Sequence, residues 1–226
     1  MQIEHEVQLT ILKQLLYHPK ARFRDLNKSD LTNDHFTFHL NRLIKLGVIR
    51  KVDNRYELTL QGLEIAGRLD LKTMKVIRQP KMGILLCITR MKNKVREVLL
   101  EERLRDPYRG RVGFHTEKIR FGESFFETAK RCLKKETGLV GQFEYVGAVR
   151  MLRMKDGYPV IDVLLNYMRV SNISGTLIPK IPESRNFWLP YEEAYKLKTI
   201  YPQFDKDLDY FKNAKKLFFE ERMAEY

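Results

Sequence analysis

Cysteine is scarce here. The 226 residues hold two, Cys87 and Cys132, far apart and in no CxxC spacing. That argues against a zinc framework and suits a reducing cytoplasm. Long apolar runs are missing too: no stretch of eighteen exists, so no transmembrane helix and no membrane partner are expected. The opening MQIEHEVQLT carries acids and no apolar signal core, so no secretion signal is expected. There is no internal repeat and no low-complexity tract.

What is abundant is positive charge. The net charge is +13 and the pI about 9.7. Such an excess favours polyanions, nucleic acid or phosphorylated ligands. Lys and Arg outnumber Asp and Glu by 14 to 9 up to Pro80 and by 28 to 20 beyond it. Both parts are basic, so charge alone names no surface. Hydrophobic residues at 43% are enough to bury a core.

The strongest internal boundary is IRQPKMGILL, where Gln79-Pro80 interrupts a helical pattern and a β-rich run begins at Met82. Before it, apolar spacing predicts a helix over 3–17 stopped by His18-Pro19, and a short helix over 21–26. A third helix is capped by Thr32, carries Phe36, Leu40 and Leu43 as its stripe, and ends at Gly47. A hairpin turning on Asp53-Asn54 and a helix over about 60–71 capped by Thr59 complete the pattern. The stretches HLNRLIKLGVIRK and RYELTLQG resemble winged helix-turn-helix domains. The resemblance implies double-stranded DNA as partner, with the third helix in the major groove. Asn33, Thr37, Phe38, Asn41 and Lys45 lie on its outer face. Asn33 and Asn41 suit adenine edges, Thr37 a base or a phosphate, Arg42 and Lys45 suit phosphates, and Arg50, Lys51 and Arg55 sit on or beside the wing, placed to grip backbone or minor groove. Asp34 on the same face opposes phosphate. His35 and His39, spaced i, i+4, lack a third metal ligand and are expected to pack or touch DNA.

Beyond the boundary, GILLCITR and REVLLEERL predict paired strands. GESFFETAKRCLKKETGL predicts a helix with a Ser124/Glu127 capping box, a buried stripe of Phe126, Ala129 and Leu133, and a stop at Gly138. Strands follow over 145–152 and 160–170. NFWLPYEEAYKL reads as a strand running into a helix, and residues 204–225 as a last amphipathic helix.

This region resembles the Nudix superfamily, whose motif is G-x5-E-x7-R-E-U-x-E-E-x-G-U with U apolar. Glu123, Arg131, Leu133, Glu136, Gly138 and Leu139 fit. Glu117 stands at the opening glycine, Cys132 at the acid after the arginine and Lys135 at the next acid. Positions 132, 135 and 136 share one helix face, which the resemblance implies should gather carboxylates around magnesium. Sulfur is a poor magnesium ligand, and an ammonium stands where the metal would. Glu123 and Glu136 are the acids left to hold a cation. Lys135 has two readings: it meets a ligand phosphate in place of the metal, with Arg131, Glu123 and Glu136 completing the site, or it is a solvated charge. Arg131 is expected to pair with Glu123 or Glu136. Cys132 reads as a small filler and Cys87 as a buried strand residue.

The resulting expectation is an α+β chain, with a winged helix-turn-helix DNA-binding domain over 1–78 and a Nudix-like α/β/α sandwich over 79–226. It is similar to Nudix-related transcriptional regulators with the domain order reversed. It implies a cytoplasmic, homodimeric regulator that senses a nucleotide-like or phosphorylated ligand, with residues 60–77 or the tail as dimer surfaces, no catalytic residues and no cofactor. The alternative is a hydrolase of nucleoside diphosphate derivatives that uses magnesium, its shell completed by Asp162, Glu183 or Glu192. A third reading is a scaffold with neither activity.

Overall fold

The computed structural model describes residues 3, 5–27, 31–213 and 216–225. The chain divides into two compact units, residues 1–79 and 80–226. No helix among the described residues is long and apolar enough to cross a membrane.

The first unit runs α1 (Glu6–Tyr17), α2 (Phe23–Leu26), α3 (Asn33–Lys45), β1 (Ile49–Val52), β2 (Arg55–Leu58), α4 (Leu60–Gly67), β3 (Leu69–Asp70) and β4 (Lys75–Val76). The Thr32 hydroxyl accepts from the His35 N–H at 3.4 Å and so caps α3. Phe36, Leu40 and Leu43 of α3 pack with Leu9, Leu12 and Leu15 of α1 in one core. β1 and β2 pair antiparallel around Asp53 and Asn54, both at positive φ (46° and 59°), as a two-residue hairpin requires.

Thr59 ties α4 to the end of α3. Its hydroxyl donates to the Gly47 carbonyl at 2.6 Å and accepts from the Gly62 N–H at 3.0 Å. The approach is close enough that a Cβ at Gly62 would lie 1.9 Å from the Val48 carbonyl oxygen. The helix expected over 60–71 ends instead at Gly67. Asp70 accepts the N–H groups of Lys72 and Thr73, which turns the chain so that β3 pairs with β4.

The second unit contains β5 (Lys81–Lys92), β6 (Val95–Arg103), β7 (Val112–Gly113), β8 (His115–Lys118), α5 (Phe125–Thr137), β9 (Val140–Lys155), β10 (Tyr158–Ser174), β11 (Ser184–Pro190), α6 (Tyr191–Ala194), α7 (Phe204–Asn213) and β12 (Phe218–Glu225). The strands form one mixed sheet in the order β11-β6-β5-β10-β9-β12, with β7 on β6 and β8 on β5. β10 runs parallel to β5, and β12 parallel to β9. Alternation along β5 sends Ile84, Leu86 and Ile88 to the α5 side, with Ala129, Cys132 and Leu133. Leu85 and Cys87 go to the other side, with Phe204, Leu208 and Phe211 of α7. The sheet is thus covered by helices on both faces.

Two expectations are corrected here. Phe126 is exposed, not part of the buried stripe; α5 buries Thr128, Ala129, Cys132, Leu133 and Thr137. Its neighbour Phe125 takes the inward role and stacks on Tyr145. The single tail helix is also replaced: α7 stops at Asn213, and β12 joins the sheet. Buried Arg222 of β12 reaches Asp207 of α7 at 2.5 Å, and Asp207 also accepts from the Tyr167 hydroxyl at 2.7 Å. A strand delivers Arg222 to this partner because its alternate side chains share a face.

Two substitutions check these contacts. Gly62→Ala is expected to cost the first unit about 2–3 kcal/mol and leave the second unchanged, read by regional hydrogen exchange. Arg222→Met strands the Asp207 carboxylate and is expected to cost the second unit about 3–5 kcal/mol in urea unfolding.

Candidate functional site

The site is built on α5. Ser124 accepts from the Glu127 N–H at 3.2 Å while Glu127 accepts from the Ser124 N–H at 2.8 Å, a reciprocal cap. Gly138 closes the helix at φ 75°, and a Cβ there would lie 2.6 Å from the Thr176 carbonyl oxygen. Both ends being fixed, the charged side chains between them have defined partners.

Arg131 makes a two-pronged contact with Glu123, both N···O distances being 2.7 Å. It also donates to the Lys118 carbonyl at 3.0 Å and pairs with Glu117 at 3.0 Å. The Arg131 hydrogen bonds hold the Glu123 carboxyl down at about 2. Glu117 shares its oxygen with Lys135, whose ammonium lies 3.2 Å from Glu117 and 3.9 Å from Glu136. Burial works against ionisation of Glu117, but the Lys118 N–H, Lys135 and Arg131 outweigh it and keep the group below its ordinary value. The glycine-position residue is thus an acid on β8 that binds Lys135 of α5.

Glu136 is different. Its carboxyl lies beside the Cys132 thiol at 3.8 Å. Burial, and then the nearby Glu101, push it up to about 7. Burial likewise lifts Glu101 to about 7. The buried Cys132 thiol is raised well above its ordinary value, first by burial and then by Glu136. His115 is fully buried, meets the Asn186 side-chain oxygen at 2.9 Å, and is lowered by burial. Asn186 in turn donates to the Glu136 carbonyl at 2.7 Å, anchoring the end of α5 to β11.

Glu101, Glu117, Lys135, Glu136 and Glu183 line one cavity of about 470 Å³, together with Arg103, Arg105, Lys118 and Arg153. Its apolar walls come from Met151, Ile161, Val163 and Phe204. Of the three acids considered from sequence as donors outside the motif, only Glu183 lines it. Asp162 is held by Arg150, and Glu192 by Lys212. Among the described residues no group of three His, Cys, Asp or Glu side chains is placed to hold a metal ion. Sequence reasoning missed Glu101 and Arg153. The signal for Glu101 is an acid inside the apolar strand VLLEER. For Arg153 it is an arginine in step with the core residues Val149 and Met151.

In the first unit, Asn33, Asp34, Phe38, Asn41, Arg42 and Lys45 are exposed on α3, and Thr37 is half-buried. Arg50 is paired with Glu57 across the hairpin at 2.6 Å, Arg55 donates to the Lys20 carbonyl, and Lys51 lies over Tyr56. His39 is buried and bonded to Gln8, with the rings of His5 and His35 at 3.9 and 5.1 Å. Burial, then His5 and His35, lower it. Spacing along the chain gives no hint of His5 as the third ring.

Raised carboxyls bind protons in the folded state that the unfolded chain has released. Their contribution is complete below about 4.5 and is lost as pH rises through about 7. Glu101→Gln should therefore gain stability over the natural protein as pH rises from 5 to 8, on the order of 3 kcal/mol at most. Urea unfolding at several pH values measures that difference.

Three comparisons bear on this geometry. No curated protein matches the chain. Among solved structures, the mutator MutT protein from Bacillus halodurans superposes with a TM-score of 0.56 at 20% identity, covering 64% of this chain and 90% of that one. The NUDIX domain of Shewanella oneidensis NrtR, solved in complex with ADP ribose, gives 0.53 at 16% identity, covering 69% and 97%. A family model for the NUDIX domain matches residues 79–209, more than half of the sequence. With the capped motif helix and its Arg131–Glu123 pair in place on a sheet covered on both faces, the chain belongs to the NUDIX domain family.

Proposed function

We propose that this chain is a cytoplasmic, homodimeric transcriptional regulator. Residues 1–78 act as a winged helix-turn-helix that binds double-stranded DNA, and residues 79–226 as a catalytically degenerate Nudix domain that senses a nucleotide-like or phosphorylated ligand. The observation that carries the sensing half is Lys135. Its ammonium stands between Glu117 and Glu136, at a motif position where the family has an acid.

Magnesium takes hard oxygen ligands in near-octahedral geometry. The residues present do not fit it: Glu123 is engaged by Arg131, Cys132 offers a protonated sulfur, and Lys135 occupies the space beside Glu136. What remains is a cavity with fixed cations and apolar walls, which suits binding of a phosphorylated organic molecule. The NrtR domain of like fold was solved with ADP ribose, and a ligand of that chemical kind is the one proposed here.

The DNA-binding half is supported by an antiparallel hairpin directly after α3, and by an α3 face that leaves Asn41, Arg42 and Lys45 free of the core. The hydrolase reading draws on Glu101, Glu117, Glu136 and Glu183 around one cavity, and would bring magnesium in as cofactor.

The deciding assay offers nucleoside diphosphate sugars, dinucleotides and nucleoside triphosphates with magnesium or manganese. The natural protein is expected to leave them intact, and the Cys132→Glu, Lys135→Glu double variant to gain turnover. Robust turnover by the natural protein, lost on Glu136→Gln, makes it an enzyme instead. In parallel, selection from random duplexes is expected to return a salt-sensitive, sequence-selective site whose preference Asn41→Ala relaxes. A failure to enrich any sequence sinks the regulator.

A further inference from the structure

Several arginines of the second unit's sheet and motif helix are matched to carboxylates, among them Arg222, which is as buried as Arg153. Arg131 meets Glu123, Arg150 meets Asp162, Arg169 meets Glu144, and Arg222 meets Asp207. Arg153 departs from this pattern. It lies on β9 opposite Ile161 of β10 and Ala224 of β12, and is only 5% exposed. Its partners are the Pro202 carbonyl at 3.3 Å and the Met151 sulfur at 3.8 Å, a weak acceptor. Among the described residues no carboxylate stands within ion-pair distance of it. Asp207 lines the same cavity but is engaged by Arg222 and Tyr167.

A guanidinium carries five N–H donors and stays charged at any ordinary pH. Removing it from water without an anion is costly, so buried arginines are paired or serve a ligand. Arg153 lines the 470 Å³ cavity, and its immediate walls, Met151, Ile161 and Val163, are apolar. Such a setting strengthens a charge-assisted bond to an incoming anion and favours one carried on an organic body.

We infer that Arg153 is an oxyanion-recognising residue of this cavity, taking a phosphate or carboxylate of the ligand. Lys135 stands on the motif helix and Arg153 on the sheet, so the ligand is fixed by two anionic contacts from different elements. The inference deepens the ligand-sensing reading and rests on it for what the bound ligand does. The local chemistry of Arg153 stands apart from DNA binding.

The test follows the arginine side-chain Nε–H signals of the full chain by NMR, with the Arg153 signal assigned from Arg153→Lys. Pyrophosphate and succinate are titrated separately, which separates phosphate from carboxylate. The Arg153 signal is expected to move saturably with at least one of them. Arg153→Met should weaken that anion's binding about 10–100-fold, with Arg153→Lys in between and Lys135→Met leaving the Arg153 response in place. Should Arg153→Met not fold, the Arg153→Lys comparison carries the same prediction. An Arg153 signal that ignores both anions, or unchanged affinity in Arg153→Met, overturns the inference. Sequence-selective DNA binding that persists in that case leaves the regulator standing. An Arg153 response without any selected DNA site fails the regulator and keeps the anion site.

Discussion

Arg131 fastens the motif helix to the loop before it. One planar cation grips Glu123 with two bonds, reaches the Lys118 carbonyl, and touches Glu117. A lysine there could not supply this fork of donors. The consequence spreads outward. Glu117 is positioned by Arg131 and then binds Lys135, so one helix turn of charge is organised from a single residue. That arrangement decides the character of the cavity, because it fixes an ammonium rather than a carboxylate at its rim.

Elsewhere on the same cavity the electrostatics run the other way. Glu101 is buried and Glu136 half-buried, and burial lifts both while Glu101 further disfavours the charge of Glu136. The unit therefore keeps two kinds of acid on one cavity: some strongly ionised by bound cations, others holding protons near neutrality. The Glu101→Gln expectation follows from the second kind alone. A ligand that brings anions into this cavity meets fixed positive groups and protonatable carboxyls along the same lining.

Much of the fold was legible in the chain. Thr32, Ser124 with Glu127, Gly138 and the Asp53-Asn54 pair have local chemistry that acts without tertiary help, and each does in the structure what its side chain suggests. Where the reading went astray, distant partners decided. Residues 218–225 alternate because β9 receives them, and residues 69–76 leave the helical pattern because Asp70 turns β3 onto β4. Phe126 and Phe125 differ by one position on a helix, and Tyr145 on the sheet face beneath α5 selects between them. At the site, the family resemblance implied that Arg131 pairs with Glu123 or Glu136, and the structure selects Glu123. Glu101 and Arg153 could not be read from the chain, since their meaning comes from strands brought together over long separations.

The pairing of β12 with β9 has a consequence for how the polypeptide is made. During synthesis, residues nearer the N-terminus leave the ribosome first and can fold first. The unit over 1–79 has a hydrophobic core of its own and is free to close early. The sheet of the second unit is then left without its edge, and Asp207 without Arg222, until residues 218–225 have emerged. In that interval the outer side of β9 is an open template for another strand. A nascent chain of this architecture thus carries its most vulnerable surface latest, after its first unit has emerged.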